Sequence, residues 1–394
     1  MSRAAPPEFR SRIPRRWRQR FVALAIGWLL LEVLALPYVG WLLPLRARAR
    51  LPAPMYVLSQ RSKSGLLPRD WVLVLGDSYA EGHGDWLTAA LREGGNPPFQ
   101  ATDVLHRVSG RDVLSFGSGG ADNVASTAFM VSKRFASLAR AGLSDPLDVL
   151  VYFYEGNDLT DDLRAARRHF ELEQRGPNGL DDAWLDAGIA ERASKGFWSG
   201  LPGNVLLPYL ALDALRGGTA GGLSNEGKSP VTPFAAGEEL AENVFTSGGE
   251  HYVFRGDPSG PALELDASET DLALRMFARS LAWCRTRFAG ARVRVVYLPS
   301  PLACYEIVSP RVRARATIAG REKLHPAASV APRSAELRRR VREIAEAQGV
   351  ELIDASDALA ARGREEPVHG PLDGHHFNLA GYTVLGELLS RALE

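Results

Sequence analysis

The chain has 394 residues, 45% of them hydrophobic and 24% charged, an ordinary globular balance that suits one large α/β domain or two smaller ones. A formal net charge of +1 gives no basis for nucleic-acid binding or for a strongly acidic substrate. Neither CxxC nor HExxH occurs and the histidines are dispersed, so no metal or other cofactor is expected.

Residues 1–20 form a basic tail in which seven arginines face one acid, Glu8. The apolar run Phe21 to Leu45 follows, "FVALAIGWLLLEVLALPYVGWLLPL", which exceeds the roughly 20 residues needed to cross a bilayer. It is also longer than the roughly 7–15 residues of a cleaved signal's apolar core, so an uncleaved anchor is the preferred reading. The positive-inside rule then places the N-terminus in the cytoplasm and the rest of the chain in the periplasm or outside the cell. Glu32 falls near mid-membrane, where an ionisable group is either protonated or in contact with a polytopic membrane partner. Residues 46–70, rich in Arg and Pro, read as a linker.

From Trp71 onward strands and helices alternate. "WVLVLG" is a buried strand, and "DWLTAALREGG" is a helix with a glycine stop. "DVLSFGSGGADN" is a second strand leaving into a glycine-rich turn, followed by the helix "NVASTAFMVSKRFASLARAG". "PLDVLVYFYEGNDL" is the longest β run, with a helix expected over Asp161 to Glu173. Patterns weaken over about 176–270, an expected insertion. Beyond it lie a helix over Asp271–Phe288, the strand "RVRVVYLPS", the helix "SAELRRRVREIAEAQG", the short strand "VELIDAS" and a last helix after Asn378. This alternation predicts a three-layer α/β sandwich with a mostly parallel sheet, in which ligands bind beyond the carboxyl ends of the strands. Cys284 and Cys304 are able to pair in an oxidising compartment, which spacing alone does not decide.

Four short segments follow strands: "GDSYA" (Gly76–Ala80), "SFGSGG" (Ser115–Gly120), "EGND" (Glu155–Asp158) and "DGHHFNLAGY" (Asp373–Tyr382). Each alone is an ordinary turn or loop. In this order they resemble the four blocks of the SGNH hydrolase superfamily, also called the GDSL family, over Trp71 to Glu394 apart from the insertion. The resemblance implies that Ser78 is the nucleophile, that Gly120 and Asn157 join the Ser78 N–H in an oxyanion hole, and that Asp373 and His376 complete a triad. Spacing from Asp373, with Asn378 and Gly381 following, selects His376 over His375. Ser115 stands where the family usually has asparagine, which leaves Gly117 and Gly119 as alternatives to Gly120.

The chemistry gives each residue type a reason. A serine hydroxyl needs a base to take its proton, and the imidazole that does so needs a carboxylate to fix its tautomer. The developing oxyanion needs fixed donors, each typically contributing about 2.7–4 kcal/mol to the barrier. The resemblance implies acyl transfer from an ester, by a membrane-tethered esterase on an ester-bearing substrate such as an acetylated carbohydrate or a lipid. A polysaccharide O-acetyltransferase of the same fold and a non-catalytic scaffold of an envelope complex are the alternatives. Aromatics of the insertion (Trp184, Phe197, Trp198, Tyr209, Phe234, Phe245, Tyr252) are expected either to form a lid or sugar-stacking surface or to anchor the insertion to the core.

Overall fold

In the computed structural model the residues described are 14–30, 57, 59–65, 67–93, 100–138, 142–176, 179–200, 229–235, 242–318 and 320–394. Five parallel strands form the central sheet: β1 (Val72–Leu75), β2 (Val113–Ser115), β3 (Asp148–Tyr154), β7 (Arg292–Leu298) and β11 (Glu351–Asp354), in the order β11-β7-β3-β1-β2. A second, antiparallel sheet has the order β4-β6-β5-β8, from β4 (Val231–Pro233), β5 (Val244–Ser247), β6 (Glu250–Phe254) and β8 (Glu306–Ile307). The hairpin of β9 (Arg311–Arg313) and β10 (Leu324–Pro326) stands apart from both.

The central strands read as unbroken apolar runs because both faces of the sheet are covered. Leu73, Leu75, Leu114, Val151, Phe153 and Val295 point into one core, shared with the helices Met130–Leu138, Asp158–His169, Ala267–Arg287 and Val330–Ala347. Their neighbours Val72, Val74, Val113, Tyr152 and Val296 point into the other, under the helices Asp85–Glu93, Ala101–Ser109, Ser356–Glu365 and Leu379–Ala392. Two-residue alternation along each strand separates the sets. The α/β class with helices on both faces of a parallel sheet agrees with the alternation in the sequence.

Cys284 packs in the first core and Cys304 in the second, so the two thiols face opposite sides of the sheet and remain unpaired. Spacing along the chain carries no information about which face each occupies.

Helix boundaries follow local chemistry. The helix expected from Asp161 begins at Asp158, with Asn157 at the N-cap position making no side-chain cap bond. Acids in its first turn and Arg167, Arg168 and His169 in its last complement the helix dipole. Ala267–Arg287 opens on a capping box, in which the Asp266 carboxylate accepts the Glu269 N–H at 2.9 Å and Glu269 reaches back to the Asp266 N–H. Ala101–Ser109 and Ser356–Glu365 are additions to the expected elements.

The stretch 176–270 is more ordered than its weak pattern implies, with the helix Asp182–Gly200 and strands β4, β5 and β6. Gly248 and Gly249, both at positive φ, make the two-residue turn between β5 and β6, a pairing of glycines that matches the twist of a hairpin. Its aromatics largely anchor. Trp184 donates from Nε1 to the Phe170 carbonyl at 3.2 Å, and Phe245 is fully buried against Tyr305 with ring centroids 4.1 Å apart. Phe197 and Trp198 are exposed, and Tyr209 lies outside the described residues.

The linker reading of 46–70 needs correction in its second half. Ser62 gives its carbonyl to the Val113 N–H at 2.7 Å and its hydroxyl to the Val113 carbonyl at 2.8 Å. The Gln60 amide takes the Ser115 N–H and donates to the Ser115 carbonyl, both at 2.7 Å. This segment therefore satisfies the open edge of β2, which would otherwise be free to pair with another chain. Residues 46–56 lie outside the described set.

The N-terminal helix runs over Arg15–Leu30, starting inside the basic tail rather than at Phe21. Among the described residues no helix is long and apolar enough to cross a membrane; residues 31–45 of the expected span, Glu32 included, lie outside them.

Candidate active site

Strand order places the site. The chain leaves β1 toward β2 on one side and returns to β3 on the other, so the loops after β1 and β3 diverge at the carboxyl edge and open a crevice there. "GDSYA" leaves β1, "SFGSGG" leaves β2 and "EGND" leaves β3, so adjacent strands deliver three of the four blocks to one edge.

After β1 the chain turns directly into a short helix, Ser78–Glu81. Asp77 caps it, accepting the Tyr79 N–H at 3.0 Å, and this fixes Ser78 at the first helical position. The Ser78 side chain lies 2.8 Å from Nε2 of His376, and His376 Nδ1 lies 2.8 Å from a carboxylate oxygen of Asp373. With Nδ1–H donating to Asp373, Nε2 is left to accept the Ser78 hydroxyl proton. The other Asp373 oxygen accepts the His375 N–H at 2.8 Å. Asp373 is fully buried, which works against its charge, but the adjacent His376 and the His375 N–H outweigh that and hold its carboxyl down at about 2. The structure thus brings Ser78, His376 and Asp373 into one hydrogen-bonded chain. His375 instead turns its ring toward Ser259, 3.4 Å from Nδ1 to Oγ.

The expected oxyanion donors are placed less uniformly. The Ser78 and Gly120 N–H groups meet no acceptor among the described residues. Gly120 is exposed and has φ +71°. Of the two alternatives, Gly119 donates its N–H to Glu81 at 2.5 Å and Gly117 donates to the Ser115 hydroxyl at 3.0 Å, so Gly120 remains the free donor of the three. Asn157 is half-buried, with its amide donating to Asp161 at 3.3 Å and its side-chain oxygen buried without a partner.

Ser115, the departure from the family pattern, has its own work. Its hydroxyl donates to the Ala80 carbonyl at 2.5 Å while accepting the Gly117 N–H, which ties the second loop to the Ser78 helix. Arg134 reinforces it with bonds to the Ser115 and Gly117 carbonyls at 3.2 and 3.1 Å. The approach is so close that a Cβ on Gly117 would stand 2.3 Å from the Glu81 nitrogen and 2.5 Å from the Ala80 carbonyl carbon. Gly117→Ala is therefore expected to cost about 1–3 kcal/mol, because backbone rather than a pliable side chain must move. A thermal melt matching the wild type would contradict this contact.

No family model matches the chain, and no curated protein matches it. Among solved structures it is similar to one from Desulfitobacterium hafniense DCB-2 named for the G-D-S-L family of lipolytic proteins. Identity is 12% and the TM-score 0.35, over 82% of this chain and 99% of that one. A likeness of that size carries no weight beside the geometry of the chain itself.

Several positioning residues escaped the sequence reading. Tyr79 donates its hydroxyl to the His375 carbonyl at 2.6 Å and packs its ring 5.1 Å from that of His376. Asp85 accepts the Asp373 N–H at 3.1 Å, and Tyr382 donates to the His83 carbonyl at 2.6 Å. These bonds join positions nearly 300 residues apart and hold the Ser78 segment against that of Asp373 and His376. The only sequence signal was proximity: Tyr79 adjoins Ser78, and Tyr382 closes the last block. Glu155, the first residue of the third block but given no role there, is fully buried; it accepts the Ser300 N–H and hydroxyl, each at 2.8 Å, and the Ser334 hydroxyl, also at 2.8 Å. Burial raises its carboxyl above the usual range against those donors. It pins the start of the β3 loop to the segment after β7.

Proposed function

We propose that this protein is a serine ester hydrolase of the SGNH type. The observation that carries the proposal is the continuous chain from Ser78 through His376 to the buried Asp373, with both hydrogen bonds at 2.8 Å. Ser78 Oγ attacks the ester carbonyl carbon while His376 Nε2 takes its proton, and Asp373 stabilises the resulting imidazolium. The carbonyl oxygen becomes an oxyanion facing the Ser78 and Gly120 N–H groups and the Asn157 amide. His376 then returns the proton to the departing alcohol, leaving an acyl-serine. Water, deprotonated by the same His376, attacks that acyl group, and Ser78 leaves as the proton comes back to it.

The proposal includes tethering to a membrane by residues 21–45, with the catalytic part on the periplasmic or outer side and an acetylated carbohydrate or lipid ester as substrate. Support for the tether comes from the helix Arg15–Leu30, whose Phe21, Val22, Leu24 and Ile26 side chains are each more than half exposed, an apolar surface among the described residues.

Full-length protein in detergent is expected to hydrolyse p-nitrophenyl acetate and to be labelled at Ser78 by a fluorophosphonate. The rate profile from acetyl to longer acyl chains separates carbohydrate deacetylation from lipid hydrolysis. Absence of both turnover and labelling would leave the scaffold reading standing.

A further inference from the structure

We propose that Glu81 is a positioning residue that holds the Gly119–Gly120 peptide in place to receive the oxyanion, a role that rests on the ester-hydrolase reading above. Glu81 ends the same short helix that Ser78 begins. One of its carboxylate oxygens accepts the Gly119 N–H at 2.5 Å and faces Nε2 of His83 at 3.1 Å. His83 packs beneath the loop so closely that a Cβ on Gly119 would lie 2.8 Å from its Cε1, and its ring centroid is 5.5 Å from that of His376. The carboxylate thus joins the nucleophile's helix, the oxyanion loop and the surroundings of the base.

The loop has need of such a tether. Ser115 and Arg134 secure it as far as Gly117, and the Ser118 N–H bonds to the Gly76 carbonyl at 3.2 Å. Gly119 and Gly120 are exposed; the Ala121 N–H bond to the Ser118 carbonyl at 3.0 Å closes a turn around them, but a glycine pair explores a wide range of backbone angles unless it is restrained further. An oxyanion donor is useful only if it is already aimed when the charge develops. A negative group near that site would ordinarily oppose the reaction, but Glu81 lies in the field of the Arg134 guanidinium and is hydrogen-bonded to the His83 ring. Burial opposes its ionisation, yet His83, the Gly119 N–H and Arg134 together hold its carboxyl below the usual range.

The test compares wild type with Glu81→Ala, Glu81→Gln and Glu81→Asp on p-nitrophenyl acetate, with thermal melts alongside. Gln keeps an acceptor at the same reach, whereas Asp keeps the charge but withdraws it by one methylene. Expected are a fall in kcat of about tenfold or more for Ala, with KM within about twofold, and rescue by Gln but not by Asp. Deuterium exchange across residues 115–121 is expected to quicken in the Ala and Asp variants alone. An active wild type whose kcat survives Glu81→Ala within twofold would overturn this inference and leave the hydrolase reading intact. Should Ala fail to fold, Asp matching or exceeding Gln would overturn it equally. A wild type with neither turnover nor Ser78 labelling would remove both.

Discussion

Ser78→Ala is expected to lower kcat for ester hydrolysis by about 10⁴–10⁶-fold while changing KM little, because in the proposed mechanism it removes the group that forms the acyl intermediate. The expectation is sharp because nearby hydroxyls are committed elsewhere: Ser115 bridges Ala80 and Gly117, and Ser259 lies against His375 rather than His376. The fold is expected to survive. Ser78 is helical and its hydroxyl bonds only to His376 and, at 3.3 Å, to Asp77, so its loss costs about 1 kcal/mol. Steady-state kinetics with mass spectrometry of the fluorophosphonate adduct decide the matter. Residual turnover above a few per cent, or a label on another residue, would place the nucleophile elsewhere.

Asp373→Asn is expected to cost about 10⁴-fold in kcat, since an amide in that place can donate to Nδ1 and so impose the wrong imidazole tautomer. The same substitution also makes a prediction for stability. Asp373 has a folded value of about 2, below that of an unfolded carboxylate, because the favourable partners outweigh burial. A carboxyl depressed on folding stabilises the native state above its unfolded value, and that contribution fades as pH falls through the folded one. Wild type is therefore expected to lose about 2 kcal/mol from this group between roughly pH 4 and pH 2, a loss absent from the variant. Parallel acid-unfolding curves for the two proteins would show that Asp373 does not carry the charge assigned to it.

Both predictions concern residues that were legible before any fold was known, and the reason is local. Ser78, Asn157, Asp373 and His376 each lie in a short block directly beyond a strand or before a helix, where turn chemistry and catalytic chemistry coincide. Asp373 and His376 are three residues apart, so their pairing is nearly a property of the segment alone. The central strands were legible for a similar reason: runs such as "VLVYFY" (Val149–Tyr154) in β3 are apolar at every position only when both faces are buried.

Other features depend on partners that no local pattern connects. Glu81 and Gly119 are 38 positions apart, and Tyr79 and His375 are 296 apart. Nothing in the period of either segment encodes the meeting. The second sheet draws β8 from beyond the expected insertion, and β4–β6 are strands of three to five residues whose burial does not alternate, so their patterns were weak. The segment 59–65 read as linker because 46–70 is rich in Arg and Pro; its Gln60 and Ser62 finish the edge of β2.

The sequence by itself determined the five strands of the central sheet and their main intervening helices, the α/β class and the candidates for nucleophile, base and acid, because these follow from short-range periodicity and from residues with specific chemistry at fixed spacing. Tertiary structure alone decided that Ser115 ties the second loop to the Ser78 helix, that among the described residues the Gly119 N–H is engaged while that of Gly120 meets no acceptor, and that the two cysteines face opposite cores. Those outcomes depend on which backbone groups are left unpaired once the sheet has closed, and that is a property of the packed molecule rather than of any stretch of the chain.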